Sequence, residues 1–284
     1  MEGSFAEYIL AERDWVKKME IMYYLKKKAA LFFDPSVVFK TLLVKLFLEQ
    51  TDLEVEKNLT LTANLLCNCK KIENPSDLSK VRSYAKDGAE YLRLLGFQDK
   101  FCRTCEEVNR YSGLKPRELE ADVLELVDQF GGMLLLRPER AAFKVEDAIV
   151  LLEHRNLKDC DNQYLTTFIH FIEKMEKITT NYRSTLNAEN NNTVGVSRIG
   201  RGIISEFAEE FNKISRQNAL TMYDKEKQLT VSIKTASRLY EMAKLAIEET
   251  ESKEIEEEEK EKPIIPTVAD IEAMKKMDER EFLK

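Results

Sequence analysis

Glycine and proline are scarce in this chain, and that scarcity constrains its fold more than any other feature. The 284 residues contain only 9 glycines and 6 prolines, well below the ordinary usage of roughly 7% and 5%. Sheet-rich folds place these residues at their many tight turns. The composition therefore argues against a sandwich, barrel or propeller and predicts helices with few breaks. Because 43% of the residues are apolar, such helices can bury a sizeable core.

Apolar residues recur at helical spacing through the first two thirds of the chain. Residues 4–33 carry one stripe with steps of three and four, which predicts a helix. Residues 37–48 are apolar almost all round, as is typical of a helix at the centre of a bundle. With the later periodic segments, they predict an all-α fold, an irregular multi-helix bundle of about seven or eight helices over 1–187.

The end of one predicted helix leaves an alternative open. A helix that begins after Pro116 is expected to end at the glycine pair 131–132. The short apolar runs that follow, on either side of Pro138, permit a small hairpin over 133–145. Such a hairpin beside a helix would suggest a winged-helix subdomain.

The region after the bundle divides into a loop and a long helix. Residues 188–202 contain three successive asparagines and three of the nine glycines, which predicts a flexible loop. Residues 203–247 contain neither glycine nor proline and predict a long helix. Its second half has an apolar seam with alternating steps of four and three, at Leu229, Ile233, Ala236, Tyr240, Ala243 and Ile247. Residues 215–228 are mostly polar, so the helix either bends or breaks there or leaves the bundle.

The net charge of −7 is concentrated at the end of the chain. Residues 248–262 carry −6 and residues 263–284 carry −1, so residues 1–247 are neutral. The sequence therefore predicts a neutral folded body followed by an acidic, partly disordered tail over 248–284. The acidic run either continues the helix as a solvated stalk or forms an extended linker.

Residues 263–284 have the composition of a docking segment. Pro263 and Pro266 favour extended backbone before them, and a short amphipathic stripe follows. An amphipathic helix on a tether is one form of segment that binds in a partner's groove; the alternative is that it packs onto its own bundle. We predict partner binding by the seam and by this segment, through Leu229, Ile233, Tyr240, Ile247, Ile264, Ile265, Ile271, Met274, Met277 and Phe282.

Few residues point to catalysis or to metal binding. Two cysteine pairs occur, Cys67 with Cys69 and Cys102 with Cys105. Four thiolates suit a tetrahedral zinc site, but both pairs fall in helical segments, where cysteine acts as a small buried hydrophobe. Zinc binding stays open at this point. The two histidines, His154 and His170, lie in separate predicted helices. We predict no catalytic site, no cofactor and no bound metal, and hence a protein that is not an enzyme.

A glycine-rich stretch before the long helix is a candidate anion site. Arg198 and Arg201 lie where the helix is predicted to start. Free backbone N–H groups at a helix start, together with these two arginines, can bind a phosphate or an acidic partner. A solvated loop is the alternative interpretation.

Short lysine clusters suggest a second class of partner. They occur at 17–18, 26–28 and 70–71. Helical spacing places Lys18, Lys26 and Arg13 on the polar side of the first predicted helix, where they would form a local basic patch. Nucleic-acid binding usually requires a basic face, and the acidic tail would compete for this one.

These features favour a role in assembly over a role in chemistry. No apolar run reaches the length of a membrane-spanning helix, the N-terminus has no signal-peptide pattern, and five thinly spread cysteines suit a reducing compartment. We expect a cytoplasmic or nuclear scaffold or adaptor subunit of a larger protein assembly, with protein partners and no membrane contact. The alternative is a nucleoprotein-like helical protein whose acidic tail regulates access to the basic patch.

Overall fold

The fold is all-α, as the sequence predicts, throughout the part of the chain that the computed structural model describes. The described residues are 4–29, 31, 35–71, 78–109, 116–137, 140–156, 162–179, 201–221 and 225–261. The helices are α1 (Phe5–Ala11), α2 (Trp15–Lys28), α3 (Pro35–Gln50), α4 (Lys57–Leu66), α5 (Leu78–Leu94), α6 (Asp99–Glu107), α7 (Leu119–Leu134), α8 (Val145–Asn156), α9 (Leu165–Lys177), α10 (Ile203–Thr221) and α11 (Lys225–Glu261). Among the same residues, no helix is both long enough and apolar enough to cross a membrane.

The first apolar stripe is divided between two helices, so the prediction of one helix over 4–33 is wrong. The chain leaves α1 and enters α2 within three residues because Asp14 is extended and caps the new helix. Its carboxylate accepts hydrogen bonds from the backbone N–H groups of Val16 and Lys17, which satisfies free donors at the helix start. Apolar periodicity alone does not reveal such a break, because successive helices can face the same core.

α3 is the central helix of the bundle, as its nearly continuous apolar sequence predicts. Between residues 37 and 48 only Lys45 is not buried. The helix packs against α4, α7, α9 and α10. Ring centroids lie 5.0–5.2 Å apart in the pairs Phe39 with Phe211, Phe47 with Phe168, and Phe47 with Phe171. Aromatic packing around α3 therefore joins helices that are distant in sequence.

The glycine pair 131–132 lies inside α7 and does not end it, contrary to the prediction. A Cβ atom on Gly131 would lie 3.1 Å from Cγ of Lys40 and 3.2 Å from Cδ1 of Leu43. Both of these α3 side chains are buried. Glycine is therefore used here for the close approach of α7 to α3, not for a turn.

The described residues of 133–145 form no β-strand, so the hairpin considered for this segment has no strand pair there. The described residues of this segment contain only an isolated bridge between Arg137 and Arg140. The guanidinium of Arg140 donates to the carbonyl oxygen of Met133 at 3.0 Å, and the N–H of Phe143 donates to the same oxygen at 3.0 Å. Both bonds satisfy the Met133 carbonyl group at the end of α7.

Two helices, α10 and α11, occupy the region predicted as one long helix over 203–247. α10 packs against α9 and α3, and residues 222–224 lie outside the described residues. The acidic run continues α11 as a helix as far as Glu261. The chain divides into two compact units, Met1–Lys244 and Leu245–Lys284. The finer boundaries predicted at 187, 202 and 247 stay predictions.

Candidate functional site

The apolar seam of α11 is buried in the folded chain. Its buried members are Leu229, Ile233, Ala236, Ala243 and Ile247. The members within Met1–Lys244 pack inside that unit. In the folded chain these residues therefore serve as a packing surface. Partner binding at Leu229, Ile233 and Ile247 stays a prediction.

Tyr240 is the seam residue that makes the most specific contacts. Its hydroxyl donates to Oε2 of Glu49 at 2.8 Å, and its ring meets Trp15 edge-on with centroids 5.3 Å apart. Nζ of Lys45 lies 5.3 Å from the centre of the Tyr240 ring and forms an ion pair with Glu49. We call these four residues the Tyr240 clasp. Burial, followed by the hydrogen bond to Glu49, raises the pKa of Tyr240, so its hydroxyl remains a donor.

Sequence reasoning found Tyr240 but not the other members of the clasp. Lys45 and Glu49 are four residues apart on α3, a spacing that signals an ion pair on a helix. It does not indicate that a tyrosine 191 residues after Glu49 donates to it. Trp15 is part of an apolar stripe, and the stripe predicts burial without predicting which ring it meets.

The predicted anion site at the start of α10 is filled by a carboxylate of the protein itself. Glu176 accepts hydrogen bonds from the N–H of Ser205, at 2.8 Å, and from its hydroxyl. Negative charge at this end of a helix is favourable. Arg201 forms an ion pair with Glu209, and Arg198 lies outside the described residues. Binding of an external anion there stays a prediction.

The basic patch predicted on the first helix is wrong in two of its three members. Lys18 and Lys26 are fully buried, whereas Arg13 is exposed. Nζ of Lys18 donates to Oδ1 of Asn58 at 2.7 Å and to Oγ1 of Thr62 at 2.6 Å, so α4 supplies acceptors that make burial of the amine tolerable. Burial, reinforced by Arg13, lowers the pKa of Lys18 to about 8.

Four cationic residues and one tyrosine form an exposed surface on and just before α2. We call it the basic face of α2 and define it as Arg13, Lys17, Tyr24, Lys27 and Lys28, all exposed. Tyr24 is 64% exposed. Lys17 forms an ion pair with Glu12 at 2.6 Å. Short sequence clusters located this face approximately, but only the packing of α2 decides which lysines reach water.

The cysteine pairs lie in the core. Cys67, Cys69, Cys102 and Cys105 are all buried and reduced. Burial raises the pKa of each thiol, to about 12 for Cys67 and about 11 for Cys102. The thiolate is the form that binds metals. In the described part of the chain, no three His, Cys, Asp or Glu side chains form a group that could hold a metal ion, so zinc binding has no support there.

The remaining predicted site residues lie outside the described residues. They are Ile264, Ile265, Ile271, Met274, Met277 and Phe282. Their role in partner binding stays a prediction, as do the expected lack of a catalytic site and of a cofactor. His154 and His170 are exposed on α8 and α9.

No protein-family model, no curated protein and no solved structure matches this chain.

Proposed function

We propose that this protein is a non-enzymatic scaffold or adaptor subunit of a larger protein assembly. The observation that supports the proposal best is the form of α11. This helix begins in the compact unit Met1–Lys244 and ends at Glu261, within the unit Leu245–Lys284. After Lys244 the exposed described residues of this helix are polar except Leu245, and the helix would carry the predicted docking segment 263–284.

The chemistry of the second unit indicates which partners suit it. Leu245 is 60% exposed, and Glu248, Glu249 and Glu251 beyond it are exposed as well. An acidic surface attracts basic partners and repels acidic ones. We therefore expect a partner with a basic contact surface that accommodates an apolar side chain.

Affinity capture of binding partners tests the adaptor proposal. The full-length chain and a chain that ends at Lys262 are immobilised, and captured proteins are identified by mass spectrometry. We expect partners to be lost with the truncation and with the double substitution Met274→Glu/Met277→Glu. The control, Lys275→Ala/Lys276→Ala in the same segment, should retain them. Equal capture by full-length and truncated chains would show that the docking role of the C-terminal segment is wrong.

A second candidate function, nucleic-acid binding, is supported by the basic face of α2. The exposed ring of Tyr24 lies one turn from Lys27 and Lys28 on the same helix. Exposed aromatic rings stack on bases, and neighbouring lysines contact phosphates. The face is small, so any binding should be weak and strongly salt-dependent.

Fluorescent single-stranded RNA and DNA of mixed sequence provide the test of this second candidate. We expect Lys27→Glu/Lys28→Glu to weaken binding most at low salt, while Tyr24→Ala weakens it at all salt concentrations. Lys26 is left unchanged because it is buried. Lys86→Glu/Lys144→Glu, at exposed sites on and beside other helices, is the charge-matched control. Absence of binding by the wild type at low salt would exclude this function.

A further inference from the structure

We propose that the first part of α11, residues 225–244, is a latch that opens from the bundle as one element and is held closed by the Tyr240 clasp. Opening exposes the seam residues Leu229 and Ile233 together with Trp15. The biological meaning of the latch rests on the proposed adaptor function, because a seam that pairs with a partner helix must first leave its own bundle. The opening itself is a property of this chain alone.

The buried face of the latch is narrow and rich in small side chains. It consists of Leu229, Ser232, Ile233, Ala236, Leu239 and Ala243. Alanine and serine bury little apolar area, and hydrophobic stabilisation scales with that area. α3, by contrast, is buried on nearly every side. Elements with few buried apolar side chains open locally at lower free energy than the core, which makes the latch the more easily released of the two helices.

The clasp supplies the directional contacts that the small seam residues lack. The hydrogen bond from Tyr240 goes to a carboxylate, and bonds to charged groups are stronger than neutral ones. Glu49 is exposed, so water can replace the tyrosine hydroxyl when the latch opens, without leaving a buried charge. The hydrogen bond between Tyr240 and Glu49 is therefore specific enough to set the position of α11. The free energy needed to break it is small enough for opening to be reversible.

A second polar contact lies two residues earlier on the same helix. Arg238 approaches Oε2 of Glu210 on α10 at 3.8 Å. Glu210 also accepts from Lys213 at 2.5 Å, so this carboxylate retains a partner when α11 leaves. Release of α11 therefore does not leave the carboxylate of Glu210 on α10 without a cation.

The closed latch is an autoinhibitory contact for the predicted pairing surface. Leu229 and Ile233 cannot face the bundle and a partner helix at the same time. A partner that presents an amphipathic helix with matching spacing would compete with the bundle for this seam. The apparent affinity of that partner would equal its affinity for the open form multiplied by the fraction of chains in which the latch is open.

Hydrogen exchange of the intact chain, without any partner, tests the latch. The variant Tyr240→Phe keeps the ring and removes the bond to Glu49. We expect amides in 229–243 to exchange about tenfold faster in this variant, with no change in the buried amides of α3 and α7. Tyr24→Phe, which removes a hydroxyl from an exposed ring of α2, is the matched control and should leave all exchange rates unchanged.

The protein carries its own optical reporter for the same event. Trp15 is the only tryptophan, and it touches Tyr240. Opening should move its emission to longer wavelength in Tyr240→Phe but not in Tyr24→Phe. The variant Glu49→Ala should reproduce the shift, and the double variant Tyr240→Phe/Glu49→Ala should add little, because both changes remove one contact.

Two results would overturn the latch. One is exchange in 229–243 that stays at the wild-type rate in Tyr240→Phe. The other is exchange that rises only together with that of α3 and α7, which would mean that α11 opens only when the whole fold does. If the latch opens as expected but partner capture does not increase, the latch stands and the pairing role of the seam fails.

Discussion

At the scale of single residues, the ion pair between buried Lys40 and half-buried Asp128 is the most consequential feature of the core. The side chain of Lys40 is only 3% exposed, and its Nζ lies 2.7 Å from Oδ1 of Asp128. Burial alone would raise the pKa of Asp128, but Lys40 and Lys71 outweigh it and hold the pKa at about 2. Because the ordinary value is 3.8, this contribution to stability is complete above about pH 4 and is lost as the pH falls towards 2.

Removal of one partner of this pair should cost more than removal of both. We expect Asp128→Ala to lower the free energy of unfolding by about 3 kcal/mol at pH 7, because it leaves the Lys40 ammonium buried without its carboxylate. The double variant Lys40→Met/Asp128→Ala should recover much of that loss. Urea denaturation measures both. The control is Asp99→Ala from the exposed Arg93–Asp99 pair at the start of α6, for which we expect a loss below about 1 kcal/mol. Equal losses in the single and double variants would contradict this account.

The glycine inside α7 allows a matched test of close packing. Gly131→Ala should lower the free energy of unfolding by about 1–3 kcal/mol, because buried side chains of α3 leave no room for the new methyl group. Gly88→Ala, where the nearest atom is Sγ of Cys69 at 3.4 Å, should instead stabilise by up to about 1 kcal/mol through helix propensity. Thermal denaturation of both variants tests these two expectations. An increase in stability in Gly131→Ala would refute the packing explanation.

At the scale of elements, the start of α10 depends on a residue of α9. Glu176 accepts two hydrogen bonds from Ser205, and a Cβ atom on Gly202 would overlap the backbone of Glu176. The two helices are therefore joined by a contact that needs both a carboxylate and a glycine. The sequence suggested an external anion at this helix start, and the tertiary structure supplies an internal one.

Loss of this carboxylate should weaken the start of α10. We expect Glu176→Ala to lower the free energy of unfolding by about 1–2 kcal/mol, since it removes a helix cap and a favourable charge at the N-terminus. Glu173→Ala, an exposed change on the same helix, should have little effect. Urea denaturation at neutral pH compares the two, and indistinguishable midpoints would show that the contact contributes nothing to stability.

At the scale of the whole molecule, buried thiols make the fold sensitive to alkali. Cys67 and Cys102 have pKa values raised to about 12 and 11 by burial, and that of Cys105 is raised well above its ordinary value of 9.0. The unfolded chain releases these protons first, so stability is unaffected below about pH 9 and falls above it. Lys18 acts in the opposite direction between its lowered pKa of about 8 and the ordinary 10.5.

The thiols outnumber the amine, which sets the sign of the net effect. Four thiols, Cys69 included, have raised pKa values and one lysine has a lowered pKa. Between pH 9 and pH 10.5 we therefore expect the free energy of unfolding to fall as the pH rises. Cys105→Ala should make the slope shallower by about 1.4 kcal/mol per pH unit. Denaturation in the presence of a reductant, repeated at several pH values, measures how the free energy of unfolding changes with pH. A slope that does not change in Cys105→Ala would contradict the assignment.

The predictable part of the fold is the part that local patterns control. Low glycine and proline content and the apolar run at 37–48 predicted an all-α bundle with α3 at its centre, and both are confirmed. The break at Asp14 and the continuation of α7 through Gly131 were not predicted. In both cases a single side chain, or the lack of one, outweighs the periodic pattern around it.

At the candidate site, too, local sequence patterns predict some features, whereas others depend on tertiary contacts. The seam of α11 follows from spacing, because residues three and four apart share a helix face. The bond from Tyr240 to Glu49 does not follow from spacing, because it joins residues 191 positions apart. Burial of Lys18 depends likewise on acceptors that α4 places beside it. A lysine in a helical stripe carries no local sign of such acceptors.

The sequence by itself determined the helical class, the central helix, the position of the seam and the concentration of negative charge after residue 247. These follow from backbone propensity, apolar periodicity and charge counts, which are set by neighbours along the chain. The tertiary structure alone decided that Lys18 and Lys26 are buried, that Glu176 caps α10 and that Tyr240 clasps α2 and α3. Those outcomes depend on which surfaces pack together, and packing is fixed by contacts between residues far apart in sequence.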